Sequence, residues 1–252
     1  MRAAVLDFRD VRSLPRGVRP KRTSLRCRRS ASHRRSLIGQ GPPSQRQNSA
    51  NARQIGLYRA AVPSRLYITV NARLRALDRG ARYGDPLQAA LETLAPGSEI
   101  TGAGSLLTPD REPLFSDIDL DITGDADAAV NLAVATLEAA GAPKGSRAQL
   151  DQRDPITFGV TEGLAIYLNG TDLPAEVYAT NDVNDLIAAL LSSLGGEGQM
   201  QSYWEGARDT ALYFYGPSAA RMNELIAESL RRLPLAQGCR LVRLPLALPS
   251  RG

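Results

Sequence analysis

The chain has 252 residues, 43% of them apolar, which is enough to bury one substantial core or two small ones. Its formal net charge of +5 combines a basic and an acidic part. Residues 1–85 carry 20 Lys and Arg against 4 Asp and Glu, whereas residues 86–252 carry 11 Lys and Arg against 22 Asp and Glu. The sequence lacks an apolar run of 18 residues, and its arginine-rich start lacks the apolar region of a secretory signal, so we expect a cytoplasmic protein without a membrane span.

Residues that commonly perform catalysis are scarce in this chain. The one histidine, His33, lies inside an arginine-rich segment, and Cys27 and Cys239 are far apart and outside any CxxC pair. A Ser-His-Asp or Cys-His mechanism, a zinc site and a disulfide framework are therefore not expected. The composition favours a protein without catalytic residues, metal or cofactor.

The basic first third of the chain carries little pattern. Residues 1–53 have few large apolar side chains and are predicted to be a disordered extension. Residues 54–84 are an ambiguous linker, in which "RLYITV" is typical of a strand. Nucleic-acid binding through this arginine-rich arm is one alternative function. Two observations disfavour nucleic-acid binding. Lys21 and Lys144 are the only lysines, and the codon composition of a GC-rich genome would produce such an excess of arginine without selection for binding. The acidic remainder of the chain would also repel nucleic acid.

An internal repeat predicts the architecture of residues 85–245. Two segments, about 98–150 and 197–245, each follow the order strand, strand, helix, strand, and Gly124 and Gly216 coincide at an offset of 92. Residues 151–196 are predicted to connect them and 246–252 to form a tail. Each ββαβ repeat leaves one sheet face uncovered, so we predict a ferredoxin-like α+β domain whose two sheets join by their edges or pack face to face. An exposed edge strand leaves a homodimer as an open alternative.

Local patterns place the elements of these repeats. In "SDIDLDI" the apolar and acidic side chains alternate, which predicts a strand with one polar face. Helices are predicted to begin at Asp85, at Asp125 or Asp127, at Asp172, at Asp182 and at Ser218, whose side chains would accept hydrogen bonds from the first turn. The glycine pair at 195–196 ends one of them.

The motifs "GAPKGS", "TEGLAIYLNGTDLPAEVY" and "SYWEG…TALYFYG" resemble an uncharacterised family of bacterial proteins over roughly residues 86–245. This resemblance supports the domain boundary and implies no activity.

The segment "GAGSLLTPDREPLFSDIDLDI" resembles the nucleotidyltransferase signature, with Gly104 and Ser105 followed by Asp117 and Asp119. The resemblance implies that the two carboxylates share Mg²⁺ over the phosphates of a nucleotide, with Ser105 on the terminal phosphates. The family pattern needs a third carboxylate on a later strand. Here "GLAIYL" has none, so Mg²⁺-dependent nucleotidyl transfer is an alternative function.

The main hypothesis is a non-catalytic binding or regulatory protein, with a groove for a small molecule or a protein partner between the repeats. The candidate ligand-binding residues gather polar and aromatic groups around the middle segment and the second repeat. They are Glu162, Tyr167, Asn169, Asp172, Tyr178 and Trp204. The same middle residues also suit a turn followed by a helix cap, which would need no ligand.

Overall fold

A computed structural model of the chain describes residues 63–248. The predicted extension over residues 1–53, residues 54–62 of the predicted linker and residues 249–252 of the predicted tail lie outside this range. Two antiparallel sheets and several helices make up the described residues, so the α+β class is confirmed. Among these residues the helices are all too short or too polar to cross a membrane.

Residues 64–158 form the first sheet with its helices, and we call them the N-terminal subdomain. Its elements are β1 (Ser64–Val70), α1 (Ala76–Arg79), a π-helical turn (Gly80–Gly84), α2 (Asp85–Leu94), β2 (Glu99–Leu107), β3 (Pro113–Ile122), α3 (Ala126–Ala139), β4 (Ser146–Leu150) and β5 (Ile156–Phe158). The strands lie in the order β2-β3-β1-β4-β5, and each neighbouring pair is antiparallel.

Residues 162–243 form the second sheet with its helices, and we call them the C-terminal subdomain. Its elements are β6 (Glu162–Asn169), α4 (Ala175–Thr180), α5 (Val183–Leu194), β7 (Gln199–Glu205), β8 (Asp209–Gly216), α6 (Ala219–Arg232), a 3₁₀ turn (Pro234–Ala236) and β9 (Arg240–Arg243). The strand order is β7-β8-β6-β9, again antiparallel throughout.

Both subdomains follow one βαββαβ plan, in which the second strand lies at the edge, followed by the third, the first and the fourth. This is the ferredoxin-like arrangement of elements. The predicted ββαβ repeats were therefore wrong in extent, since each omits its first strand and first helix. The strand β1 lies in the predicted linker, and β6 and α5 lie in the predicted connector.

Long-range pairing explains these errors. The strand β1 is central, between β3 and β4, and its partners follow it by at least 46 positions, as Val70 pairs with Ser116. The segment "RLYITV" indicated a strand, but partners so distant leave no local sign of where that strand lies in the sheet. Asp85 is the first residue of α2 but was wrong as its cap, because α2 continues a helical segment from α1 and no side chain caps it. Asp125, rather than Asp127, is confirmed as the cap of α3, and Asp182 and Ser218 as the caps of α5 and α6. Asp172 was wrong as a cap, because α4 begins after Pro174 and no side chain caps it.

Each sheet buries one apolar face beneath its own helices. Ile118, Leu120 and Ile122 of β3 are 2% exposed or less, while Asp119 and Asp121 between them remain partly exposed, as the alternation predicts. The helices α2 and α3 cover this face, and α5 and α6 cover the corresponding face of the second sheet.

The helix-free face of the second sheet is also apolar, and it packs onto the N-terminal subdomain. Ala165, Ala211, Tyr213 and Tyr215 belong to the same buried cluster as Tyr83 of the π-helical turn. The two sheets therefore neither join by their edges nor pack face to face through their free faces. Instead, the second sheet covers the segment between β1 and α2. We call this contact the junction.

The C-terminal end of the described chain returns to the N-terminal subdomain. Asn71 Nδ2 donates hydrogen bonds to the carbonyl oxygens of Lys144, at 2.9 Å, and Pro245, at 2.7 Å. A Cβ atom built on Gly145 would lie 2.2 Å from the carbonyl oxygen of Leu246, so only glycine fits there. Within the predicted tail, the Leu248 side chain is packed, at 8% exposed, whereas the Leu246 side chain is exposed.

The position of β1 predicts which shortened chains will fold. We expect removal of residues 1–62 to leave cooperative urea unfolding intact, because the described strands all pair within residues 63–248. Removal of residues 1–84 deletes the central strand β1 and should abolish cooperative unfolding. Circular dichroism during urea unfolding distinguishes the two variants, and a cooperative transition in the shorter one would contradict this account of the sheet.

Candidate functional site

A partly buried carboxylate connects the two subdomains. Glu112 follows the turn between β2 and β3, and its Oε1 accepts hydrogen bonds from the Arg73 guanidinium, from the Tyr167 hydroxyl at 2.5 Å and from the Tyr213 hydroxyl at 2.8 Å. The side chains of Arg73 and Glu112 are each 14% exposed. We call these four residues the carboxylate cluster. Its charges compensate each other within a mostly desolvated contact.

The tyrosines of the junction are held in the protonated state. Burial raises the pKa of Tyr167 to about 12, and the hydrogen bond to Glu112 adds to that rise. Burial also raises the pKa of Tyr213, again with help from Glu112, and the pKa of Tyr215. The Tyr215 hydroxyl oxygen accepts a hydrogen bond from the backbone amide of Arg73 at 2.8 Å. These phenols therefore remain neutral, and Tyr167 and Tyr213 can donate to Glu112, at physiological pH.

A cavity of 580 Å³ lies beside the carboxylate cluster, with walls from both subdomains. Its volume lies within the range of small-molecule sites. The N-terminal subdomain contributes residues from α1 and from the β2–β3 hairpin, and the C-terminal subdomain contributes the edge strand β7. The residues used below are Arg75, Arg79, Ser105, Arg111, Trp204 and Glu205. We call it the junction cavity.

One row of side chains links the junction cavity to the carboxylate cluster. Trp204, Ala211, Tyr167 and Arg240 are successive cross-strand partners on β7, β8, β6 and β9. Directly paired residues in antiparallel strands share a face, so these four side chains lie on the helix-free side of the second sheet. The guanidinium of Arg240 lies 3.8 Å from the centroid of the Tyr167 ring.

The arginines of the junction cavity differ in their partners. Arg75 forms an ion pair with Asp78 at 2.7 Å and stacks 3.7 Å from the Tyr203 ring centroid. Arg79 donates to the carbonyl oxygen of Gly104 at 2.8 Å and to Ser105 Oγ at 2.9 Å, both neutral acceptors. Burial lowers the pKa of Arg79, although it remains charged at neutral pH.

The turn that precedes Glu112 holds Arg111 in an unusual conformation. The amide of Arg111 donates to the carbonyl oxygen of Thr108 at 2.8 Å, and the amide of Glu112 donates to Thr108 Oγ1 at 3.0 Å. Arg111 has φ of 65°, the left-handed region that favours glycine. The two consecutive side chains therefore point to different sites, since Arg111 lines the junction cavity and Glu112 belongs to the carboxylate cluster.

Two of the six candidate ligand residues, Tyr167 and Trp204, lie in the row beside the junction cavity. Glu162 lies at the opposite end of β6, where it accepts from Lys144 Nζ at 2.7 Å and from the Ala219 amide at 3.0 Å. The hydrogen bond from Lys144, followed by that from Ala219, lowers the pKa of Glu162. Glu162 therefore stabilises the start of α6 and does not reach the cavity.

Asn169, Asp172 and Tyr178 form a local turn. Asn169 Oδ1 accepts from the amides of Thr171, at 3.1 Å, and Asp172, at 2.9 Å. The Tyr178 hydroxyl donates to the Asn169 carbonyl oxygen and accepts from the Leu173 amide, both at 3.1 Å. Their polar groups stabilise the connection between β6 and α4, so the alternative interpretation of this segment as a turn describes the geometry.

The residues of the nucleotidyltransferase signature do not come together. Ser105 Oγ lies 3.3 Å from the hydroxyl of its cross-strand partner Ser116, which is fully buried. Asp117 and Asp119 line a separate cavity of 630 Å³ on the opposite, helix-free face of the first sheet, together with Arg147. Residues 63–248 contain no cluster of three His, Cys, Asp or Glu side chains able to hold a metal ion.

Several residues of this site were missed from sequence. Arg73 and Arg79 lie in the predicted linker, where arginine was attributed to overall composition. Glu112 lies in a proline-containing loop, and no local pattern distinguishes it from a solvated loop carboxylate. The aromatic residues of β7 and β8 were the one signal that pointed toward this part of the molecule.

Comparison with known proteins adds little. No protein-family model and no curated protein sequence matches the chain. Among solved structures, an unknown protein from Galdieria sulphuraria is 12% identical with a TM-score of 0.25, over 72% of this chain and 97% of that chain. Protein BT0572 from Bacteroides thetaiotaomicron is 10% identical with a TM-score of 0.23, over 73% and 94%. A Fusobacterium nucleatum protein assigned as a monooxygenase is 8% identical with a TM-score of 0.26, over 76% and 96%. Matches at these values support no conclusion about function.

The carboxylate cluster makes Glu112 important for stability. We expect Glu112→Ala to lower the free energy of unfolding by about 3 kcal/mol, because it leaves the Arg73 charge without a partner. Glu112→Gln keeps an acceptor and should cost about 1 to 2 kcal/mol. Urea unfolding of the full chain measures both, with Glu99→Ala on the exposed edge of the first sheet as a control within about 0.5 kcal/mol. Equal losses for Glu112→Ala and the control would contradict the assigned role.

The raised pKa of Tyr167 predicts a loss of stability in alkali. An unfolded tyrosine releases its proton near pH 10, whereas folded Tyr167 keeps it to about pH 12, so the folded state binds more protons between these values. Stability is therefore complete below pH 10 and falls as the pH rises toward 12. Tyr167→Phe should reduce this fall by up to about 1.4 kcal/mol per pH unit. Urea unfolding at pH 9, 10.5 and 11.5 tests this, and an unchanged slope would contradict it.

Proposed function

We propose that the protein is a non-catalytic, cytoplasmic binding protein that takes a small organic anion into the junction cavity. The observation that supports this most is the cavity itself, which collects guanidinium groups from one subdomain and an indole from the other. Arg79 and Arg111 line it, and neither forms an ion pair with another residue of 63–248. Arg79 is partly buried and Arg111 is exposed, and guanidinium groups that lack a direct ion pair favour binding of an anion.

The chemistry of the cavity favours binding over nucleophilic catalysis. Ser105 is its hydroxyl nucleophile, and the side chains that contact the Ser105 hydroxyl are those of Arg79 and Ser116, which cannot act as a general base. Glu205 also lines the cavity but is exposed to solvent. Ligand binding could affect how firmly the subdomains are joined, because the cavity walls belong to both. A regulatory role would use that property.

Trp204 is the only tryptophan of the chain, so its fluorescence reports on the junction cavity directly. We expect at least one anion, from a panel of aromatic and aliphatic carboxylates, phosphate esters and sulfate esters, to change this fluorescence saturably. The same anion should stabilise the full chain by about 2.7 kcal/mol at 100 times its Kd. Arg79→Met should weaken binding about 10-fold or more, as loss of a charged hydrogen bond does.

Arg147→Met is the matched control, because Arg147 lines the other cavity on the opposite side of the first sheet. This variant should bind the anion as the unmodified chain does. The proposal fails when no anion on the panel changes the fluorescence or the unfolding midpoint. It also fails when the two arginine variants lose affinity equally.

A further inference from the structure

The charged groups of the junction cavity indicate which kind of organic anion it binds. Of its three arginines, Arg75 is neutralised by Asp78. Arg79 and Arg111 have no ion-pair partner among the described residues, and the lining carboxylate, Glu205, is solvent-exposed. The charge of Asp117 also acts on Arg79, although the two form no direct ion pair. Two guanidinium groups that lack a direct ion pair in one cavity favour a ligand with two negative charges.

The conformation of Arg111 supports a role for its side chain. A φ of 65° is unfavourable for any residue with a Cβ atom, and glycine or asparagine would suit this turn better. The Arg111 side chain is exposed, and no hydrogen bond to another residue of 63–248 holds it in place. Stability therefore gives no reason for arginine here, whereas a guanidinium beside the cavity has a clear use in binding.

The indole of Trp204 provides a flat apolar wall. A Cβ atom built on Gly206 would lie 2.1 Å from the Trp204 ring, so the glycine allows the ring to lie against the β7–β8 turn. On the other side of Trp204 in the row, the small Ala211 separates it from Tyr167. Such a fixed aromatic ring favours a planar group of the ligand by stacking.

Given the proposed function, on which this step rests, we infer that the ligand is an aromatic phosphate monoester bound as its dianion. The phosphate group lies between Arg79 and Arg111, within reach of the Ser105 hydroxyl, and the aromatic ring lies against Trp204. A phosphate monoester carries a second ionisation with a pKa of about 6, so its charge approaches −2 at neutral pH. A sulfate monoester of the same shape carries one negative charge throughout.

This difference gives the test, made on the full chain with Trp204 fluorescence. At pH 7.5 phenyl phosphate should bind about 10-fold or more tightly than phenyl sulfate. At pH 5.0 most of the phenyl phosphate is a monoanion, and its affinity should fall about 10-fold while that of phenyl sulfate stays constant. The phenyl sulfate series controls for protonation of the acidic groups near the site, which are Asp78, Glu205 and Asp117, whose charge acts on Arg79.

Arg111→Gly separates binding from folding. Its unfolding midpoint should be no lower than that of the unmodified chain, because glycine accepts the left-handed conformation. Its affinity for phenyl phosphate should fall about 10-fold, to the level of phenyl sulfate. Unchanged affinity in this variant would overturn the inference, and so would equal binding of the two esters at pH 7.5. In either case binding of other anions would leave the proposed function standing, whereas failure of every anion would remove both.

Discussion

The carboxylate of Glu112 is the interaction on which the arrangement of the two subdomains depends. One oxygen atom receives an arginine from the loop after β1 and tyrosine hydroxyls from β6 and β8, so three distant parts of the chain meet at one point. A charge in this position is costly unless every partner is present. The cluster therefore favours one relative placement of the sheets, where apolar packing alone would tolerate small shifts. The junction cavity lies beside this fixed point.

The two subdomains share a plan but differ in their free sheet faces, and this difference produces the site. The free face of the first sheet alternates Asp117, Asp119 and Asp121 with buried residues, so it can remain in contact with solvent. The free face of the second sheet carries Tyr213 and Tyr215, which are 2% exposed or less. Only the second face requires a cover. On the edge strand β7, Trp204 is only partly buried and lines the cavity.

The features that could be predicted from the sequence are those that depend on residues close together in the chain. The caps of α3, α5 and α6 and the alternation in β3 could be predicted, because each depends on neighbours within a few positions. The segment "RLYITV" also indicated β1 as a strand, but its central place in the first sheet could not be predicted, since that place depends on pairing with β3 and β4. The extent of each repeat was wrong for the same reason.

The candidate site shows the same division between local and distant causes. The aromatic residues Tyr167 and Trp204 attracted attention by their type, and both lie beside the junction cavity. Arg73 and Glu112 acquire their importance only from contacts across the junction, 94 and 101 positions apart in the bonds to Tyr167 and Tyr213. Asn169, Asp172 and Tyr178 satisfy one another locally, which a sequence pattern cannot distinguish from a binding loop.

The return of the chain after β9 has a consequence for how the junction can move. Lys144 bonds to Glu162 at the start of β6, and Asn71 bonds to Pro245 after β9, so the C-terminal subdomain is tethered to its neighbour at its start and again at its end. If the carboxylate cluster broke transiently, the two subdomains could not diffuse apart, and their reunion would be an intramolecular event at high effective concentration. The motion left to them is a limited rotation about two nearby attachment points. A cavity between bodies linked in this way can open to exchange its contents without exposing the whole tyrosine face to water.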